Sequence, residues 1–219
     1  LAGGLRGFGW FGVEGSTGRR DRSSDTVVAN TGKAMRVGLV RHFEVKRGFP
    51  RRWLTARELQ QWRVEYEESS IIPKPVDLGV IPWQRCLCSD ADRAVQTAQA
   101  IHQGPIVPLA ALREVTVQEY GTGRLRLPPV GWRLLTRLAW AWDHPSQRES
   151  RRVFFGNLKT VVQEHLQPLR EDLLVVSHGG LMWFLRKELI RLGYRGPNFM
   201  LAENGKLYVF ERTEQAERG

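Results

Sequence analysis

A chain of 219 residues with 42% hydrophobic and 26% charged residues is sized and composed for one well-buried globular domain, with room for an appendage at most. No apolar run approaches the roughly 18 residues a bilayer-spanning helix needs, and no basic, apolar, small-residue succession of a secretory signal opens the chain, so a cytoplasmic protein with no membrane partner is expected. The net charge of +10 is spread through many segments without an aromatic-interleaved basic stripe; a surface that draws in anionic substrates explains it as well as nucleic-acid binding does, and no nucleic-acid partner is expected.

Residues 1–34 are rich in Gly, Ser, Arg and Thr and carry neither helical nor strand periodicity, so they read as a disordered leader or as upstream translated sequence, with Met35 the natural start. Gly7, Gly9 and Gly12 stand at G-x-G-x-x-G spacing, but no apolar strand precedes them, and the dinucleotide reading is set aside. From 35 to 219 strand-like and helix-like segments alternate, the signature of an α/β domain. RVGLVR, residues 36–41, predicts a buried strand. Thr55 and Glu58 form a capping box before a helix with Leu59, Trp62 and Tyr66 on one face, running to about 69. RCLCSD predicts a second strand, followed by a helix capped by Ser89 or Asp90 and closed by Gly104. Further helices are expected near 130–142 and 149–167, then a fully apolar strand in DLLVVS, a helix after His178, and a last strand at 206–210. Cys86 and Cys88 share one face of the second strand, which disfavours a disulfide and predicts buried free thiols.

Three polar groups fall where apolar strands end: Arg41 with His42, Ser89 through Arg93, and Ser177 with His178. The carboxyl ends of neighbouring strands in an open α/β sheet form the usual ligand crevice, so two histidines and two arginines could meet there as an anion pocket. Gly179 and Gly180 open the following helix, whose free N–H groups favour a phosphate, and Arg93 lies in the first turn of its own helix.

LVRHFEV, CSDADRAVQTA, LREVTVQEYG and VVSHGG, in this order, resemble the motifs of the histidine phosphatase superfamily, which includes phosphoglycerate mutases. The resemblance extends over essentially all of 35–211 and implies a three-layer α/β/α fold, phosphoglycerate mutase-like, with a mostly parallel sheet of about six strands. It further implies that His42 is the nucleophile that becomes phosphohistidine and that Arg41, Arg93, His178 and Gly179 hold the phosphoryl group. Glu114 would be the general acid and base, with Glu119 as a neighbouring alternative, and neither a metal nor a cofactor is expected. The chain departs from the family where glycine usually follows the nucleophile: Phe43 stands there and either points away or narrows the pocket. Val45 replaces a threonine or serine, and the asparagine that often follows is missing, which leaves Arg47, Arg51 or Arg52 as substitutes. The short span between Glu114 and His178 favours phosphomonoester hydrolysis of a small substrate. Mutase-type transfer and a catalytically impaired phosphate-binding or interaction module are the alternatives.

Overall fold

The computed structural model describes residues 34–115 and 123–213; the expected leader and Glu119 lie outside them. The first strand, β1 (Ala34–Arg41), carries the apolar run of 36–41 and is buried along most of its length. A two-residue strand, β2 (Glu44–Val45), pairs antiparallel with β3 (Ile71–Ile72), and α1 (Ala56–Glu67) lies between them in sequence. The capping box starts α1 as expected: the Glu58 N–H donates to Thr55 Oγ1, and the Thr55 N–H donates to Glu58 Oε2. The next strand, β4 (Arg85–Ser89), leads into α2 (Asp92–Ile101).

The N-cap of α2 is Ala91, not Ser89 or Asp90, and its C-cap is His102 rather than Gly104. Ser89 Oγ accepts from the Ala91 N–H at 3.3 Å and from His178, so it holds the entry to the helix without capping its first turn, and Asp90 takes a bidentate pair of bonds from Arg113.

A strand absent from the sequence reading, β5 (Ile106–Leu109), lines the sheet edge next to β4. Its Pro108 is tolerated there because an edge strand can lack one N–H. The remaining α-helices among the described residues are α3 (Pro129–Ala141), α4 (Arg148–Val161), which continues as a π-helical turn at Val162–Leu166, and α5 (Gly179–Arg191), with β6 (Leu173–Ser177) before α5 and β7 (Leu207–Thr213) after it.

The main sheet has five strands in the order β5-β4-β6-β1-β7, all parallel except β7, which runs antiparallel to β1. Among the described residues five strands stand where about six were expected, and the pair β2-β3 forms a separate ribbon. Alternate residues of the strands serve opposite faces. Val37, Leu39, Leu87 and Val175 pack with α4 and α5 on one side, while Val40, Cys86, Cys88, Leu174 and Val176 pack on Ala94 and Ala98 of α2 on the other. Burial of each such side chain contributes on the order of 1.5–3 kcal/mol, which fixes β1, β4 and β6 side by side at the centre of three layers. Both thiols are buried and free, and burial pushes them up to about 12 at Cys86 and about 11 at Cys88. Among the described residues no helix is long and apolar enough to cross a membrane.

Candidate active site

Parallel alignment of β1, β4 and β6 brings their carboxyl ends to one edge, where Arg41 lies opposite Ser177 in register. All three sequence-distant groups meet there. His42 and His178 are buried, with ring centroids 5.1 Å apart in an edge-on arrangement. The backbone of His42 is fixed from two sides: its N–H donates to Ser177 O at 2.9 Å, and its carbonyl accepts from Asn204 Nδ2 at 2.7 Å.

His42 Nδ1 lies 2.6 Å from Phe43 O. A carbonyl only accepts, so Nδ1 carries the proton and Nε2 holds a free lone pair. Burial drives the His42 imidazole down to about 3; the bond to Phe43 opposes this, and Arg93 and Arg41 add to it.

In His178 the tautomer is reversed. Its Nδ1 lies 3.3 Å from Arg93 Nη2, which can only donate, so Nε2 carries the proton and donates to Ser89 Oγ at 2.9 Å. Burial, then Arg93, His42 and Arg41, hold this imidazole well below its ordinary value. Both ring nitrogens are engaged, so His178 orients Arg93 in this arrangement.

The guanidinium of Arg93 is 7% exposed, sits 5.5 Å over the Tyr66 ring and pairs with Glu67 through Nη1. Arg41 donates through Nη1 to Ala202 O at 2.9 Å. The Nε atoms of both arginines are buried without a hydrogen-bond partner among the described residues. Two orphaned cationic donors, on arginines whose charges both reach the unprotonated His42 imidazole, are what an oxyanion would satisfy.

Glu114 reaches the same edge from the loop after the 3-10 turn Ala110–Leu112, whose Leu112 carbonyl accepts from Ser177 Oγ at 2.8 Å. Its carboxylate accepts N–H bonds from Gly180 and Val115, each at 3.1 Å, and so rests on the amino end of α5. A Cβ on Gly180 would stand 2.5 Å from Glu114 Oε1, and one on Gly179 would stand 3.4 Å from Arg41 Nε. Glycine at 180 is what lets the Glu114 carboxylate approach the helix, whereas a Cβ at 179 would meet Arg41 only at ordinary contact distance.

Phe43 does not narrow the pocket. Its ring is buried with Val45 and Ile71 under Tyr66, and the main-chain N–H donates to Thr97 Oγ1 at 2.9 Å. The space that glycine usually leaves after the nucleophile is recovered across the chain at Gly205, where a Cβ would stand 2.8 Å from the Phe43 ring. The arginines expected as substitutes do not join the site: Arg47 pairs with Glu65 and Arg52 with Glu58, and Arg51 is exposed. Asn204, Thr97 and Glu67 are the pocket residues the sequence reading missed. Asn204 carried no signal because it lies beyond α5, opposite Arg41 by an isolated parallel bridge.

A depression of about 440 Å³ at the opposite, amino-terminal ends of β4 and β6, lined by Arg85, His165 and Arg170 among others, is remote from this constellation. Burial and convergent cations single out the carboxyl edge as the candidate site instead.

Fold and site together define a three-layer α/β protein with a cationic, histidine-bearing pocket at its strand ends. The chain belongs to the histidine phosphatase superfamily: the family model of branch 1 matches residues 77–218, and the structure sets Arg41 and His42, which precede that span, against its Arg93 and His178. Membership places it among enzymes of phosphoryl transfer.

Among solved structures it is similar to the alpha-ribazole phosphatase from Shigella flexneri, at 18% identity over 82% of this chain and 95% of that one, with a TM-score of 0.46. It is also similar to mycobacterial hydrolase 2, at 17% identity over 72% of this chain and 73% of that one, with a TM-score of 0.41. Comparison with curated proteins finds no match.

Proposed function

We propose that the protein hydrolyses phosphomonoesters through a phosphohistidine on His42, with no metal, and that Glu114 is the general acid and base. The observation that carries this reading is an unprotonated His42 Nε2 on an imidazole that feels the charges of two guanidinium groups, whose buried Nε atoms have no hydrogen-bond partner among the described residues.

In the first step Nε2 attacks phosphorus, a P–N bond forms and the ester P–O bond breaks, and Glu114 gives its proton to the departing oxygen. Nδ1 keeps its proton on Phe43 O throughout and shares the positive charge that develops on the ring. Arg41 and Arg93 face the phosphoryl oxygens, Arg93 held there by His178, and Gly179 leaves room beside Arg41. In the second step Glu114 takes a proton from water as the oxygen attacks phosphorus. The P–N bond then breaks and inorganic phosphate leaves.

Cationic side chains carry the charge stabilisation here, so turnover of an aryl phosphate should be insensitive to chelators. The test is acid-sensitive, alkali-stable phosphate label on the protein after rapid quench with a labelled substrate, mapped to the peptide containing His42. Label on another residue, or full turnover in His42→Ala, would end the proposal.

A further inference from the structure

Arg93 is the most buried cation of the pocket, yet an anion already holds it. Glu67, the last residue of α1, is 58% exposed at its side chain and pairs through Oε2 with Nη1 of the 7% exposed Arg93. Tyr66, the residue before it, lies under the same guanidinium at 5.5 Å, so the end of α1 stands against Arg93, with Glu67 on the solvent side of the pair. The neighbouring surface cation Arg113 is bound in bidentate fashion by Asp90, so Glu67 faces Arg93 as its ion-pair partner.

We infer that Glu67 is a resident competitor for the phosphate pocket, an affinity-setting residue that weakens the hold of Arg93 on both the substrate's phosphoryl group and the product phosphate. The inference rests on the reading of this pocket as the phosphoryl site. A phosphate that displaces the carboxylate must break the Glu67–Arg93 pair. One that binds beside it meets a like charge across a single buried cation. Either route lowers affinity, and the exposed carboxylate loses little on returning to water. The consequence for turnover is faster release of inorganic phosphate, a step that commonly limits hydrolases.

The experiment compares the wild type with Glu67→Gln, Glu67→Ala and, as a control for net charge, Glu68→Gln, which alters the exposed residue next in the chain. An aryl phosphate serves as substrate and inorganic phosphate as competitive inhibitor, with phosphate binding measured independently by calorimetry. Both Glu67 variants should lower KM and the phosphate inhibition constant together, by roughly three- to tenfold, the scale of a partly exposed ion pair. Glu68→Gln should shift neither by more than about twofold, as expected of an exposed charge outside the pocket.

Unchanged or raised constants in the Glu67 variants would overturn the inference while leaving the hydrolase reading intact. An equal drop in Glu68→Gln would do the same by tracing the effect to net charge. A loss of kcat at unchanged KM would reassign Glu67 to proton transfer. A wild type that neither turns over the ester nor binds phosphate overturns both readings.

Discussion

Because the Phe43 carbonyl fixes the Nδ1 proton and burial holds the His42 imidazole down to about 3, Nε2 stays unprotonated in the free protein from neutral pH well into the acid range. A solvent-exposed imidazole would lose its nucleophilicity below about 6.5. The expected outcome is a kcat/KM profile, corrected for the second ionisation of the substrate, whose acid limb from His42 falls far below 6. Because kcat/KM reports the free enzyme, an acid limb near 6.5 that disappears in no other variant would show that His42 titrates as an ordinary histidine. His178 contributes differently at this scale. Its two nitrogens bridge Ser89 and Arg93, so its removal would release Arg93 as well as alter the pocket.

At the scale of elements, the start of α5 joins backbone to chemistry. Alanine at 180 would bring a Cβ within 2.5 Å of Glu114 Oε1, the far end of a flexible side chain that can move aside. Alanine also favours a helix over glycine by up to about 1 kcal/mol, so Gly180→Ala should leave thermal stability unchanged or slightly raised. The displaced carboxyl group should slow hydrolysis of alkyl phosphates on the order of 10²-fold and of activated aryl phosphates far less. A leaving-group series measured on this variant checks the assignment, and equal loss across the series points to another acid.

Gly205, between Asn204 and β7, tells the opposite story. With φ at +59° and the Phe43 ring 2.8 Å from the added Cβ, alanine there is strained and overpacked, and a loss of about 2–3 kcal/mol is expected in denaturant melts. Turnover should fall with it, since Asn204 holds the His42 carbonyl.

These two glycines also mark what was legible in the sequence. The central strands read clearly because β1, β4 and β6 are continuous apolar runs, and the polar residues at their ends marked the candidate site. Strand β5 was hidden by Pro108, tolerated only at an edge. The pairing of Phe43 with Gly205 and the ion pair of Glu67 with Arg93 join segments far apart in the chain, and no local pattern encodes them.

For the whole molecule, the buried histidines tie folding to pH. An imidazole in the unfolded chain titrates near 6.5, whereas His42 stays neutral to about 3 and His178 lies well below its ordinary value. Between those values the unfolded chain binds protons that the folded one refuses, so stability is full above about 6.5 and declines as pH falls towards 3. Each imidazole contributes a slope of up to about 1.4 kcal/mol per pH unit.

The carboxylates held low by neighbouring arginines, such as Glu65 and Glu149, also cost stability on acidification, but only as pH approaches the carboxylate range. The window from 6.5 to 5 therefore isolates the histidines. His102 and His165, less buried and shifted down in the same direction, supply the remainder. Urea melts across this window, in buffers free of phosphate so that no ligand masks the effect, should show a marked loss in the wild type. The loss should be clearly smaller in His42→Asn combined with His178→Asn, whatever the variant's stability at pH 7.5. Parallel slopes in the two proteins would mean that both imidazoles take up protons without unfolding, and the pocket would then be far more hydrated than its burial implies.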